Sequence, residues 1–146
     1  MCSEKLIKLI ESYLYSYLWM DKKVLEIKRK YLIDDKDINS WIKSKGKICR
    51  TTENIALKNI QIECEIETEI KWHYIIKKVL DNYESQEEKE KINYIKYKYF
   101  ERCSTSKIEI EMSISRPTQS RMKRDIVYCI ALFAVKENLI NIENLE

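Results

Sequence analysis

The chain has 146 residues, with 27 Lys and Arg against 24 Asp and Glu, a net charge of +3. One glycine and one proline exclude the turn-rich sandwiches, barrels and propellers, whose tight turns need those residues. A hydrophobic share of 45% beside a charged share of 35% fits amphipathic helices and excludes a membrane-spanning or disordered chain.

The N-terminal residues alternate charge with Leu and Ile, so no secretory leader is expected and the cytoplasm is the expected location. From Ser3, a plausible N-cap, Leu6, Ile10, Tyr13, Tyr17, Met20, Val24, Ile27 and Tyr31 recur at spacings of four and three. That seam predicts one amphipathic helix over residues 1–33. A helix packed within its own domain is favoured over a coiled coil, with a homodimer left open. Residues 34–50 carry Asp, Asn, Ser and the lone Gly46, and read as a linker with a short turn around Trp41 and Ile42.

Residues 51–84 carry two conflicting periods. Ile60, Ile62, Cys64 and Ile66 alternate with Gln61, Glu63 and Glu65 in the manner of a strand, yet Ile55, Ile62, Ile66, Ile70, His73, Ile76 and Leu80 share a helical stripe. The Glu and Lys content and the lack of a hairpin turn decide for a central helix starting at Thr52. His73 lies on the apolar stripe beside Trp72 and Tyr74, so a packed, hydrogen-bonded role is expected of it.

The remaining 85–146 is expected to form its own domain. Ser85 with Glu88 has the capping-box spacing, and Ile92, Ile95 and Tyr99 give the inner face of a helix reaching about Arg102. Cys103–Ser106 supplies a turn and an N-cap. Ile108, Ile110, Met112 and Ile114 again alternate, and so short a segment suits helix or strand equally. Ser115 as N-cap and Pro117 in the first turn open a last helix to about Asn138, with Thr118, Met122, Ile126, Cys129 and Phe133 on its apolar stripe. Residues 126–134 are apolar nearly all round and are expected to be buried.

Five scattered cysteines without a CxxC pair, and a single histidine, provide for neither a disulfide framework nor a zinc site. No cofactor, metal or catalysis is expected, and Cys103 is expected to be a structural thiol. The charge distribution points elsewhere. Ser115–Arg124 holds Arg116, Arg121, Lys123 and Arg124 with no acid, a cationic helix tip suited to an anionic partner. Helix, polar turn, short helix, Ser-Ile-Ser turn and basic helix is the order of a helix-turn-helix, whose second helix enters the major groove. Arg116, Ser120, Arg121 and Arg124 are the candidate groove residues. Thr105, Lys107 and Lys123 are the candidate phosphate contacts.

The IESYLYSYL segment, the central helix and the stretch from Ile92 to Ile140 resemble small phage and prophage transcriptional regulators of the ArpU and RinA type, whose C-terminal part is similar to the helix-turn-helix of sigma factor region 4. Tyr99, Ile114-Ser115 with Thr118, the basic Arg121–Arg124 and the Ala131/Ala134 helix end carry the likeness. Glu109 stands where such motifs usually have alanine, Ser113 where they have glycine, and Gln119 where they have an apolar residue. The resemblance implies an all-α protein that binds double-stranded DNA in a sequence-specific way and controls phage late genes or a neighbouring operon. The N-terminal helices would serve dimerisation or contact with RNA polymerase. A phage small terminase subunit and a helical interaction module without DNA contact are the alternatives.

Overall fold

The computed structural model describes residues 2–30 and 48–145, the side chains of 48–55 and 144 excepted. The predicted linker over 34–50 and Tyr31 therefore lie, in whole or large part, outside the described residues. All described secondary structure is helical: α1 (Glu4–Ser16), α2 (residues 20–30), α3 (Ile48–Ser85), α4 (Lys89–Ile95) continued by a π-helical turn (Lys96–Phe100), α5 (Thr105–Met112) and α6 (Arg116–Lys136). Short 3₁₀ turns occupy Tyr17–Trp19 and Ile142–Leu145. No described helix is long and apolar enough to cross a membrane. The chain divides into two compact units, Met1–Leu18 with Lys71–Glu146, and Trp19–Ile70.

The larger unit holds α1, the end of α3, and α4 to α6. Ser3 caps α1, its hydroxyl accepting from the Leu6 amide at 3.3 Å. Leu6, Ile10 and Leu14, spaced by four, are buried against Ile75, Ile76 and Val79 of α3, Tyr94 and Ile95 of α4, and Ile126 and Ile130 of α6 in one cluster. Each such side chain contributes about 1.5–3 kcal/mol on leaving water. The single helix expected over 1–33 is interrupted. α1 stops at Ser16, whose hydroxyl donates back to the Ser12 carbonyl at 3.0 Å, a bond that bends helices. The tightened turn that follows seats Tyr17 on His73, ring centroids 4.3 Å apart, and on Phe100 at 5.4 Å. His73 is thus half-buried in an aromatic stack, while Tyr13 stacks on Trp72 at 4.9 Å.

In the smaller unit Met20, Val24 and Ile27 of α2 are half-buried, as are Ile62 and Ile66 of α3, and Lys23 pairs with Glu69 at 3.1 Å. α3 is a continuous helix through the glutamate run, so the strand-like alternation of residues 60–66 is decided for helix. It begins at Ile48, which places Thr52 inside it rather than at its start.

α3 also runs past the predicted start of the next helix. Ser85 lies in its last turn, and its hydroxyl donates to the Asn82 carbonyl at 2.9 Å instead of capping α4. Glu88 precedes α4 without a side-chain cap. The reversal uses a left-handed Glu87 (φ 59°) and the Glu88 amide donating to the Tyr83 carbonyl at 2.9 Å, a Schellman closure. Arg102, Ser113 and Asn138 are left-handed in the same way. A chain with one glycine thus follows α3, the π turn, α5 and α6 with left-handed residues that bear side chains, each at a cost of roughly 1–2 kcal/mol for a residue other than Asn or Asp.

The ambiguous alternation before the last helix also resolves as helix. In α5 Ile108 is 1% exposed and Ile110 is 77% exposed, whereas a strand would have put both on one face. The inner face of α6 is centred one residue from the predicted stripe. Gln119, Met122, Ile126, Val127, Ile130, Ala131 and Ala134 are buried, and Thr118, Cys129 and Phe133 are half-buried flanks. Within 126–134, Tyr128 and Leu132 are exposed, so that stretch is not buried all round.

Candidate nucleic-acid interface

α5 and α6 are two helices joined through Ser113 and Ile114, with both starts fixed by serine caps. The Ser104 hydroxyl accepts from the Lys107 amide at 3.2 Å. The Ser115 hydroxyl accepts from the Thr118 amide at 3.4 Å and lies 2.9 Å from the Thr118 hydroxyl. Ser113 takes the left-handed turn (φ 55°, ψ 40°), a conformation that glycine adopts without steric cost. The buried Gln119 reaches back to α5, its Nε2 donating to the Thr105 carbonyl at 3.1 Å. A polar residue is accepted in this core because its amide is satisfied there.

The outward side of α6 follows from the buried one. Pro117, Ser120, Arg121, Arg124 and Tyr128 are exposed at spacings of three and four, one stripe of the helix. Arg121 lies inside this stripe. Among the described residues no ion pair or hydrogen bond engages Arg121 or Arg124. Tyr128 was not among the predicted site residues, although its spacing from Arg121 and Arg124 is the signal that would have found it.

Two predicted residues are engaged within the protein. Arg116 donates from Nη2 to the Ser106 hydroxyl at 3.2 Å and pairs through Nε with Glu109 at 3.7 Å. It remains largely exposed, so it is steadied against α5 rather than withdrawn from solvent. Lys123 is turned towards α1, where its Nζ lies 3.2 Å from the Glu11 carboxylate. It is therefore assigned to the internal contacts of the domain and not to a free phosphate-binding surface. The helical angle explains this: residue 123 flanks the buried Gln119, Met122 and Ile126 stripe, away from Arg121.

Glu11 is the junction of that contact. Beside Lys123 it accepts from the Tyr99 hydroxyl at 3.0 Å and lies 3.9 Å from Lys98 Nζ. Burial and the neighbouring carboxylate push the Tyr99 phenol far above its ordinary range. The Lys98 ammonium is moved the other way, lowered by burial and then by Lys123, with Glu11 opposing. Three elements, α1, the π turn and α6, are tied at one carboxylate.

Thr105 and Lys107 are exposed in the first turn of α5, on the neighbouring helix. Cys103, just before it, is half-buried, its thiol 3.9 Å from the Glu101 carboxylate. Among the described residues no group of three or more His, Cys, Asp or Glu side chains could hold a metal ion. Of the seven predicted positions, Ser120, Arg121 and Arg124 share one open face, Arg116 flanks it, Thr105 and Lys107 begin α5, and Lys123 faces inward. No family model matches the chain, and neither a curated protein nor a solved structure is similar to it at a significant level.

Proposed function

We propose that the chain is a sequence-specific transcriptional regulator of phage or prophage genes that reads double-stranded DNA with α6. The observation that carries this reading is the exposed Ser120, Arg121 and Arg124 stripe, whose two guanidinium groups make no ion pair among the described residues. An α-helix fits the major groove, where arginine bonds guanine bidentately and serine serves base or phosphate. Two capped helices joined by a tight turn are the support such a reading helix needs. Thr105 and Lys107 supply a hydroxyl and a cation for the sugar-phosphate chain. The phage context, and RNA polymerase as a second partner, rest on the resemblance to the ArpU and RinA type.

The test is an anisotropy titration of labelled duplexes from the region upstream of the chain's own operon, run at several salt concentrations against unrelated competitor DNA. Arg121→Ala and Arg124→Ala should each weaken binding, and a residue that contacts phosphate should lower the salt slope by about 0.9. One that contacts a base should cost about 1–3 kcal/mol and relax preference at one position. Unchanged affinity and slope in the double variant would refute the reading.

A further inference from the structure

Away from α5 and α6, the end of α3 and the α4 helix with its π turn enclose a groove of about 650 Å³. Its apolar lining is Leu80, Ile92, Phe100 and Leu18. The first three are half-buried and form a floor, while Leu18 is 59% exposed and stands at the edge. One surface therefore carries both a hollow and an apolar knob beside it.

The rim is charged, and balanced. Glu84 and Glu101 stand with Lys89 and Lys96. Among the described residues none of the four makes an ion pair, and their one side-chain bond is the weak contact that Glu101 accepts from the Cys103 thiol at 3.9 Å. Two unspent acids and two unspent bases around an apolar hollow match no single-signed ligand. They match a surface of the same kind. A two-fold contact brings one patch against its own copy, so every knob must find a hollow and every base an acid within that same patch.

We propose that this groove is the contact of a symmetric dimer, in which Leu18 of each copy enters the hollow of the other and the lysines of each rim face the glutamates opposite. The contact uses no residue of α5 or α6, so it stands or falls independently of DNA binding. A dimer joined here presents two α6 stripes, the arrangement that reads two half-sites.

The experiment is sedimentation equilibrium of the full chain over a range of concentrations. The wild-type chain forms dimers. Leu18→Asp raises the dissociation constant by roughly thirtyfold or more, as loss of a central interface anchor does. Because Leu18 is exposed in the single chain, its replacement leaves helicity unchanged, which circular dichroism checks. Lys89→Glu with Lys96→Glu is monomeric alone, as is Glu84→Lys with Glu101→Lys, and an equimolar mixture of the two forms mixed dimers. A wild-type chain that sediments as a monomer up to its solubility limit, dimers that survive Leu18→Asp, or charge-reversed variants that do not recombine would each overturn the proposal. DNA titrations of the same variants show separately whether α6 still binds.

Discussion

Replacing Glu11 by alanine should loosen the unit that carries α6 without touching its exposed face. The Glu11 side chain is 18% exposed, accepts from the buried Tyr99 hydroxyl at 3.0 Å and pairs with Lys123 at 3.2 Å. A hydrogen bond to a charged group contributes about 1.5–3 kcal/mol, and its loss leaves the Tyr99 hydroxyl without its carboxylate partner. The Lys123 pair, with a third of the lysine side chain in water, adds about 0.2–1 kcal/mol after screening. The expected loss for Glu11→Ala is therefore about 2–4 kcal/mol, a large part of the 5–15 kcal/mol that holds a domain of this kind. Glu11→Gln keeps an acceptor for the phenol and should cost about half as much. Urea unfolding followed by circular dichroism measures both, and a double-mutant cycle with Tyr99→Phe isolates the hydrogen bond. A Glu11→Ala variant within about 0.5 kcal/mol of wild type, the range of an ordinary surface change, would refute the idea that this carboxylate joins α1, the π turn and α6.

Alkali should unfold the protein cooperatively. Burial is the leading cause holding Tyr83, Tyr94 and Tyr99 protonated above the ordinary phenol range, Tyr94 up to about 12. Unfolded phenols ionise near pH 10, so the unfolded state loses its protons first. The stability these groups contribute is complete below that pH and falls as pH rises towards the folded values, by about 4 kcal/mol per pH unit for the three. The lowered Lys98 acts in the opposite direction and at lower pH, its effect complete once the unfolded lysine has also lost its proton, at about pH 10.4. Exposed phenols ionise first, and the remaining phenolate absorbance should appear together with the loss of helical dichroism above about pH 10; full phenolate absorbance with the helices intact would contradict the burial. Ser113→Gly should raise the urea midpoint by about 0.5–1 kcal/mol of stability, because glycine takes the left-handed turn without steric cost, and a lower midpoint would mean that the serine side chain does more than occupy the turn.

The residues made some features legible and hid others. N-caps are local, and Ser3, Ser104 and Ser115 sit where a hydroxyl precedes a helical stripe. The glutamate-rich centre was readable as helix because its composition outweighed its alternation. The π turn at Lys96–Phe100 has no comparable mark, since KYKYF carries neither proline nor glycine. The two-unit division was equally hidden, because α3 passes through both with no break in pattern. At the candidate interface, helical spacing gave Ser120, Arg121 and Arg124 their open face. It could not give Lys123 its partner, since Glu11 lies on a helix more than a hundred residues earlier in the chain. Which side of a basic helix faces its own domain is decided by long-range packing, and a one-residue offset in the stripe is enough to turn a lysine inward.

The part-buried bond that crosses from α6 to α5 is chemically lopsided. Gln119 contributes a side chain, whereas position 105 contributes a main-chain oxygen that every amino acid possesses. Drift is therefore free at one end and forbidden at the other: residue 105 can be exchanged widely to suit whatever lies outside, as long as the backbone there stays helical, while the Gln119 amide goes on bracing the angle between the two helices.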